Sequence, residues 1–138
     1  MKFSLWEAWG FGFFLIIVFV VFVILVSFFG DYVFHRIGIS RNSLIILSWI
    51  IPMGAGFFTS YYARKYKVLL SISHILSVCI LIAIGHYLVW FFGIDVDFPG
   101  FDGALFVAFI YLFIAVFSVG VGLVVGLFLS VWKSRQNH

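Results

Sequence analysis

The fold is most constrained by the run AWGFGFFLIIVFVVFVILVSFF, residues 8–29, which contains no charged residue. A helix needs roughly 20 apolar residues to cross about 30 Å of hydrocarbon, and this run has that length. Three more apolar runs follow at residues 43–63, 68–93 and 104–132. Membrane β-strands alternate apolar and polar side chains over about 10 residues, and these runs do not alternate. The sequence therefore predicts an all-α integral membrane protein, with four transmembrane helices in an antiparallel bundle.

Composition and connection length bound the number of domains. The chain is 65% hydrophobic and 9% charged, whereas a water-soluble domain of this size leaves roughly a third of its unfolded surface exposed to water. The connections between the apolar runs are short, so residues 1–138 are predicted to form a single membrane domain. The first run ends without a small-x-small cleavage site, which predicts that it stays as a span and is not removed as a signal peptide.

Positive charges are distributed unevenly among the connections. With four spans, the N-terminus, the second connection and the C-terminal tail lie on the same side of the membrane. That side carries six lysine and arginine residues, and the other side carries only Arg36 and Arg41. Because cytoplasmic connections are enriched in Lys and Arg, we predict cytoplasmic termini and a multi-pass location in the plasma or inner membrane. The six residues are Lys2, Arg64, Lys65, Lys67, Lys133 and Arg135.

Small residues share one face of the fourth span when they are placed at 100° steps, and phenylalanines occupy the opposite half. Small side chains let helix backbones approach closely in membranes, so this stripe predicts a helix-packing interface. A weaker version occurs in the second span. The predicted interface residues are Ala108, Ala115, Ser118, Gly122, Gly126, Gly56 and Ser60. Two partners remain open for the stripe: the chain's own second and third helices, or a second copy of the chain.

The first span has no such stripe of small residues, because it contains none between Gly12 and Ser27. We therefore expect it to be the peripheral helix that faces lipid.

The third span carries an unusual set of polar residues. Helical geometry places His74, Cys79 and His86 on different faces, and the two histidines about 18 Å apart along the axis. The face that remains contains Ser71, His74 and Ser77. Burying unpaired polar groups in hydrocarbon costs several kcal/mol, so this face must meet another helix or water. The fourth-span stripe, or Thr59 and Ser60 of the second span, could receive it.

Several kinds of chemistry are disfavoured. The single cysteine cannot form an intramolecular disulfide, and the separated histidines cannot hold one metal ion within one helix. All five acidic residues lie at or outside the predicted membrane edge, so the spans lack the converging catalytic groups that hydrolysis or group transfer needs. The net charge of +3 comes from membrane-flanking residues and does not indicate nucleic acid. We predict no enzyme activity, no cofactor and no metal.

Two functions remain. The first is a small membrane protein that acts through helix contacts, as an accessory, regulatory or immunity-type subunit. Its partners would be the lipid bilayer and either further copies of the chain or another membrane protein. The alternative is an oligomeric channel or transporter in which His74 lines a polar cavity.

Overall fold

The computed structural model describes residues 4–30, 32–63, 65–96 and 100–136. Within them it contains four long α-helices and no strand, and each helix is long and apolar enough to cross a membrane. The predicted all-α class and number of membrane-spanning helices are confirmed for this part of the chain. A short π-helix, Tyr32–Ile37, precedes the second helix. The helices are α1 (Leu5–Phe28), α2 (Arg41–Tyr62), α3 (Lys67–Phe91) and α4 (Gly100–Gln136).

Serine side chains fix where α1 and α2 begin. The Ser4 hydroxyl accepts a hydrogen bond from the Glu7 N–H at 3.1 Å, and the Ser40 hydroxyl accepts one from the Ser43 N–H at 3.2 Å. Such caps satisfy backbone donors that have no partner in the first turn, and each contributes about 1 kcal/mol. Both helices therefore begin two or three residues before the apolar runs that predict them.

Contacts between helices identify one end of the molecule, here called the basal end, where α1 and α3 begin and α2 and α4 end. The Trp9 indole N–H of α1 donates to the Ser73 hydroxyl of α3 at 3.0 Å. The Ser130 hydroxyl of α4 accepts from Lys67 at the turn between α2 and α3. Lys2 and Arg64, two residues of the predicted basic side, lie outside the described residues.

The prediction that α1 is peripheral is wrong. Its spanning window has the largest buried share of the four helices, 44%, and its side chains fill the main apolar core. α1 can approach α3 closely because α3 supplies the small residue: a Cβ on Gly85 would collide with the side chain of Ile24. A helix of large residues can therefore be central when its neighbour supplies the small one. Fully buried residues of α1 include Ala8, Ile16, Phe19, Val23 and Phe28.

Lys67 closes the C-terminal end of α2. Its ammonium group donates to the backbone carbonyls of Ser60 and Tyr61 and to the Ser130 hydroxyl, which lies 3.3 Å away. The last four carbonyls of a helix have no donor within the helix, so a cation placed there satisfies them and complements the helix dipole. One side chain thus joins the ends of α2 and α4 to the start of α3.

Lys67→Met keeps the apolar stem of this side chain and removes its three donors. We expect the free energy of unfolding to fall by about 1 to 2 kcal/mol, because the carbonyls and the Ser130 hydroxyl lose a charged partner. Thermal unfolding in detergent micelles measures the change. Lys65→Met is the matched control, since Lys65 is exposed and its replacement should change stability by less than about 0.5 kcal/mol. Equal effects of the two substitutions would contradict the capping role.

Candidate functional site

A buried hydrogen bond between α2 and α3 forms the centre of the site. The His74 side chain is fully buried, and its Nε2 lies 2.9 Å from the Thr59 hydroxyl oxygen. Thr59 is also fully buried. The polar face of α3 therefore meets a polar group of α2, one of the neighbours expected from the sequence. In a low-dielectric interior such a bond stabilises the fold, because losing either partner leaves a desolvated polar atom without a hydrogen bond.

Aromatic residues of α1 cover the imidazole. The Trp9 ring lies nearly parallel to the His74 ring, with centroids 6.0 Å apart, and Phe13 stacks on Trp9 at 4.8 Å. The Trp9 indole is held by its hydrogen bond to Ser73, whose hydroxyl donates to the Leu70 carbonyl. The imidazole is thus held by α2 at its edge, through Thr59, and by α1 at its face, through Trp9.

Gly12 of α1 completes the site because of what it lacks. A Cβ at this position would lie 2.6 Å from both the His74 Nε2 and the Thr59 hydroxyl oxygen. The hydrogen bond therefore fits only against a residue without a side chain. We call Trp9, Gly12, Thr59, Ser73 and His74 the His74 cluster. Sequence reasoning missed Trp9, Gly12 and Ser73; the one available signal was a glycine within a run of bulky residues.

The predicted polar set divides in the structure. Ser71 is fully buried beside His74, whereas Ser77 is only half-buried and its hydroxyl donates to the Ser73 carbonyl of its own helix at 2.8 Å. Ser71 and His74 therefore belong to one interior face. Ser77 lies at its margin and satisfies its own hydroxyl.

The predicted glycine stripe of α4 packs against α2 of the same chain. A Cβ on Gly122 would collide with the Met53 carbonyl, and one on Gly126 would collide with the Ser60 side chain. A Cβ on Gly56 would collide with the Val119 carbonyl. These glycines thus allow contact between the two backbones. The Ser60 hydroxyl donates to the Gly122 carbonyl at 3.4 Å, a long hydrogen bond across the same interface.

The other stripe residues are buried elsewhere on α4. Ala108 and Ala115 pack in the main apolar core, together with residues of α1, α2 and α3. Ser118 is fully buried, and its hydroxyl has no hydrogen-bond partner among the described residues. The stripe therefore serves contacts inside the chain.

A groove of about 340 Å³ lies between α3 and α4. Its wall includes the half-buried Cys79 and His86, whose Nδ1 lies 2.9 Å from the Ile82 carbonyl oxygen. Three lining residues, Cys79, Ala83 and Ala108, have small side chains, so the groove admits close approach by another helix. The lining residues are Cys79, Ile82, Ala83, His86, Leu105, Ala108, Phe109 and Leu112.

His74, Cys79 and His86 occupy separate environments, as their spacing predicts. His74 lies in its cluster at the basal end, and His86 packs its ring 4.7 Å from the Phe28 ring centroid. Among the described residues, no three His, Cys, Asp or Glu side chains come close enough to hold a metal ion. No protein family, curated protein or solved structure matches the chain.

Proposed function

We propose that this chain is a small membrane protein that acts through helix contacts, as an accessory, regulatory or immunity-type subunit of a membrane complex. The observation that carries the proposal is the groove between α3 and α4, which is open to the surroundings and whose lining includes the small side chains of Cys79, Ala83 and Ala108. Helices associate in membranes where small residues let their backbones come close. The occupant we propose is a transmembrane helix of another membrane protein.

Other small and polar residues already contact a neighbouring helix of the same chain, which supports this proposal. Gly122 and Gly126 of α4 already pack against α2, and His74 already pairs with Thr59. The groove is a place where small residues still face outward, with Ala83 exposed at its edge. A partner helix would bury Ala83 and Cys79, and lipid chains would otherwise cover them.

We also propose an orientation. The four helices would form an antiparallel bundle whose basal end, with both chain termini, faces the cytoplasm. The described basic residues Lys65, Lys67, Lys133 and Arg135 support it, since they lie at or beyond the basal ends of the helices and cytoplasmic connections favour positive charge. The plasma or inner membrane is the location that this rule describes best.

The groove is tested with a photoreactive benzoylphenylalanine in place of Ala83, irradiated in native membranes. We expect one crosslinked product whose added mass is that of a different protein. The matched control is the same residue in place of Ile84, which is exposed on α3 but does not line the groove. Lipid adducts alone at both positions would contradict the proposal, and a product of twice the chain's mass would identify a homodimer in its place.

The alternative function, an oligomeric channel or transporter with His74 lining a polar cavity, draws less support. The His74 side chain is fully buried within one chain and lies between Trp9 and Thr59. A residue that lines a pore needs contact with water or with the transported species.

A further inference from the structure

Two buried polar atoms lie on neighbouring turns of α3, next to the His74 cluster. The Ser71 hydroxyl oxygen and the His74 Nδ1 have no hydrogen-bond partner among the described residues, and both side chains are 0% exposed. An unpaired polar atom in an apolar interior is costly, and native proteins satisfy nearly all such atoms with protein or with bound water. The two atoms therefore point to a ligand that serves both of them.

Helix geometry predicts that the His74 imidazole leans toward the turn that contains Ser71. Side chains on a helix lean toward its N-terminus, so the His74 ring lies over the turn that contains Leu70 and Ser71. His86 shows the usual outcome, with its Nδ1 2.9 Å from the carbonyl oxygen four residues earlier. The corresponding carbonyl for His74 is that of Leu70, which accepts from the Ser73 hydroxyl. Ser71 is the polar neighbour that remains.

Small residues of α1 and α2 lie one turn closer to the basal end than the residues that contact His74. Gly12 and Thr59 meet His74, and one helical turn closer to the basal end these positions become Ala8 on α1 and Ala63 on α2. Both alanines are at most 2% exposed. Helix geometry places Ser71 at the level of these two small side chains.

We propose that Ser71 and His74 bind one water molecule, bridged between the Ser71 hydroxyl and the His74 Nδ1. Residues three apart on a helix lie on the same face, and one water can bridge two polar side-chain atoms with hydrogen bonds of about 2.8 Å. Water suits the site because it both donates and accepts, so it pairs with Nδ1 in either tautomer of the imidazole. It would also hold the ring in the orientation that presents Nε2 to Thr59.

Ser71→Ala tests the proposal through the sign of its effect on stability. If the hydroxyl holds a bridging water, its removal also leaves Nδ1 unpaired, and the thermal unfolding midpoint should fall by about 3 to 6 °C. Ser77→Ala is the matched control on the same helix, because its hydroxyl is already satisfied by the Ser73 carbonyl and alanine has the higher helix propensity. The control should leave the midpoint unchanged or raise it. An unchanged or raised midpoint in Ser71→Ala would overturn the proposal.

Solid-state NMR of histidine-labelled protein in lipid bilayers separates a bound water from a direct Ser71–His74 bond. We expect magnetisation transfer from water protons to the His74 Nδ1, with the signal assigned by its loss in His74→Gln. The transfer should disappear in Ser71→Ala. No transfer in the unsubstituted protein would overturn the water site, and transfer that persists in Ser71→Ala would overturn the bridge.

Discussion

Gly122→Ala should separate α2 from α4 and lower the free energy of unfolding by about 3 kcal/mol or more. The added methyl group would collide with the Met53 carbonyl and would lie 2.8 Å from the Phe57 backbone nitrogen. A flexible side chain can rotate away from such a contact, whereas two helix backbones can only move apart. Their separation would also stretch the hydrogen bond from Ser60 to the Gly122 carbonyl, which is already long at 3.4 Å.

Gly120→Ala is the matched control for this prediction. A Cβ on Gly120 meets no atom within 4 Å, so the methyl group fits without displacement. Alanine restricts the unfolded chain more than glycine does, and we expect Gly120→Ala to stabilise the protein by about 0.5 to 1 kcal/mol. Thermal unfolding of the purified variants, followed by circular dichroism and by size-exclusion chromatography, measures both changes. If the two variants behave alike, the packing of α4 against α2 within one chain is contradicted.

This comparison also distinguishes contacts inside the chain from contacts between copies. If Gly122 lies against α2 of its own chain, Gly122→Ala should destabilise the protein at every protein concentration. If it lies against a second copy, the effect should instead appear as a dissociation that depends on concentration. The expected result is a loss of stability that does not change with dilution.

The number of spanning-length helices was predictable from sequence because length and apolar character suffice to identify a candidate span. Packing was less predictable, as α1 demonstrates. Hydrophobicity does not indicate which helix is central when lipid is as apolar as the core. Small residues on one helix predict that another helix packs there, but they do not predict which one. Gly85 supplies the space for Ile24 from the neighbouring helix, so the relevant pattern is divided between two segments that only the fold brings together.

The residues of the candidate site were predictable to different degrees. The helical period placed Ser71 and His74 on one face, an inference that needs only the geometry of one helix. The neighbour of that face stayed open between the fourth-span stripe and Thr59 with Ser60, because that choice depends on two helices. Trp9 and Gly12 were missed because their roles depend on the rotation of α1 about its axis, which the sequence does not encode locally. Tryptophan near the interface and glycine within an apolar run are both common in membrane helices, so neither residue indicates a site by itself.

Gly12→Ala should break the hydrogen bond between His74 and Thr59. The new methyl group would lie 2.6 Å from both polar atoms, and Trp9 stacked on the imidazole restricts the ring's retreat. We expect a loss of about 1 to 3 kcal/mol, since two fully buried polar groups would be left without each other. Gly10→Ala is the control on the same helix, because a Cβ there meets no atom within 4 Å.

A double-mutant cycle assigns the loss to the imidazole. His74→Ala should itself be destabilising, since it leaves a cavity and an unpaired Thr59 hydroxyl. With the imidazole absent, however, the Gly12→Ala methyl group gains space and no longer breaks a bond. The loss in the double variant should therefore be smaller than the sum of the two single losses by about 1 kcal/mol or more, measured as unfolding free energies in the same detergent. Strict additivity would mean that Gly12 does not act through His74, and the close fit of α1 against that hydrogen bond would then have no energetic role.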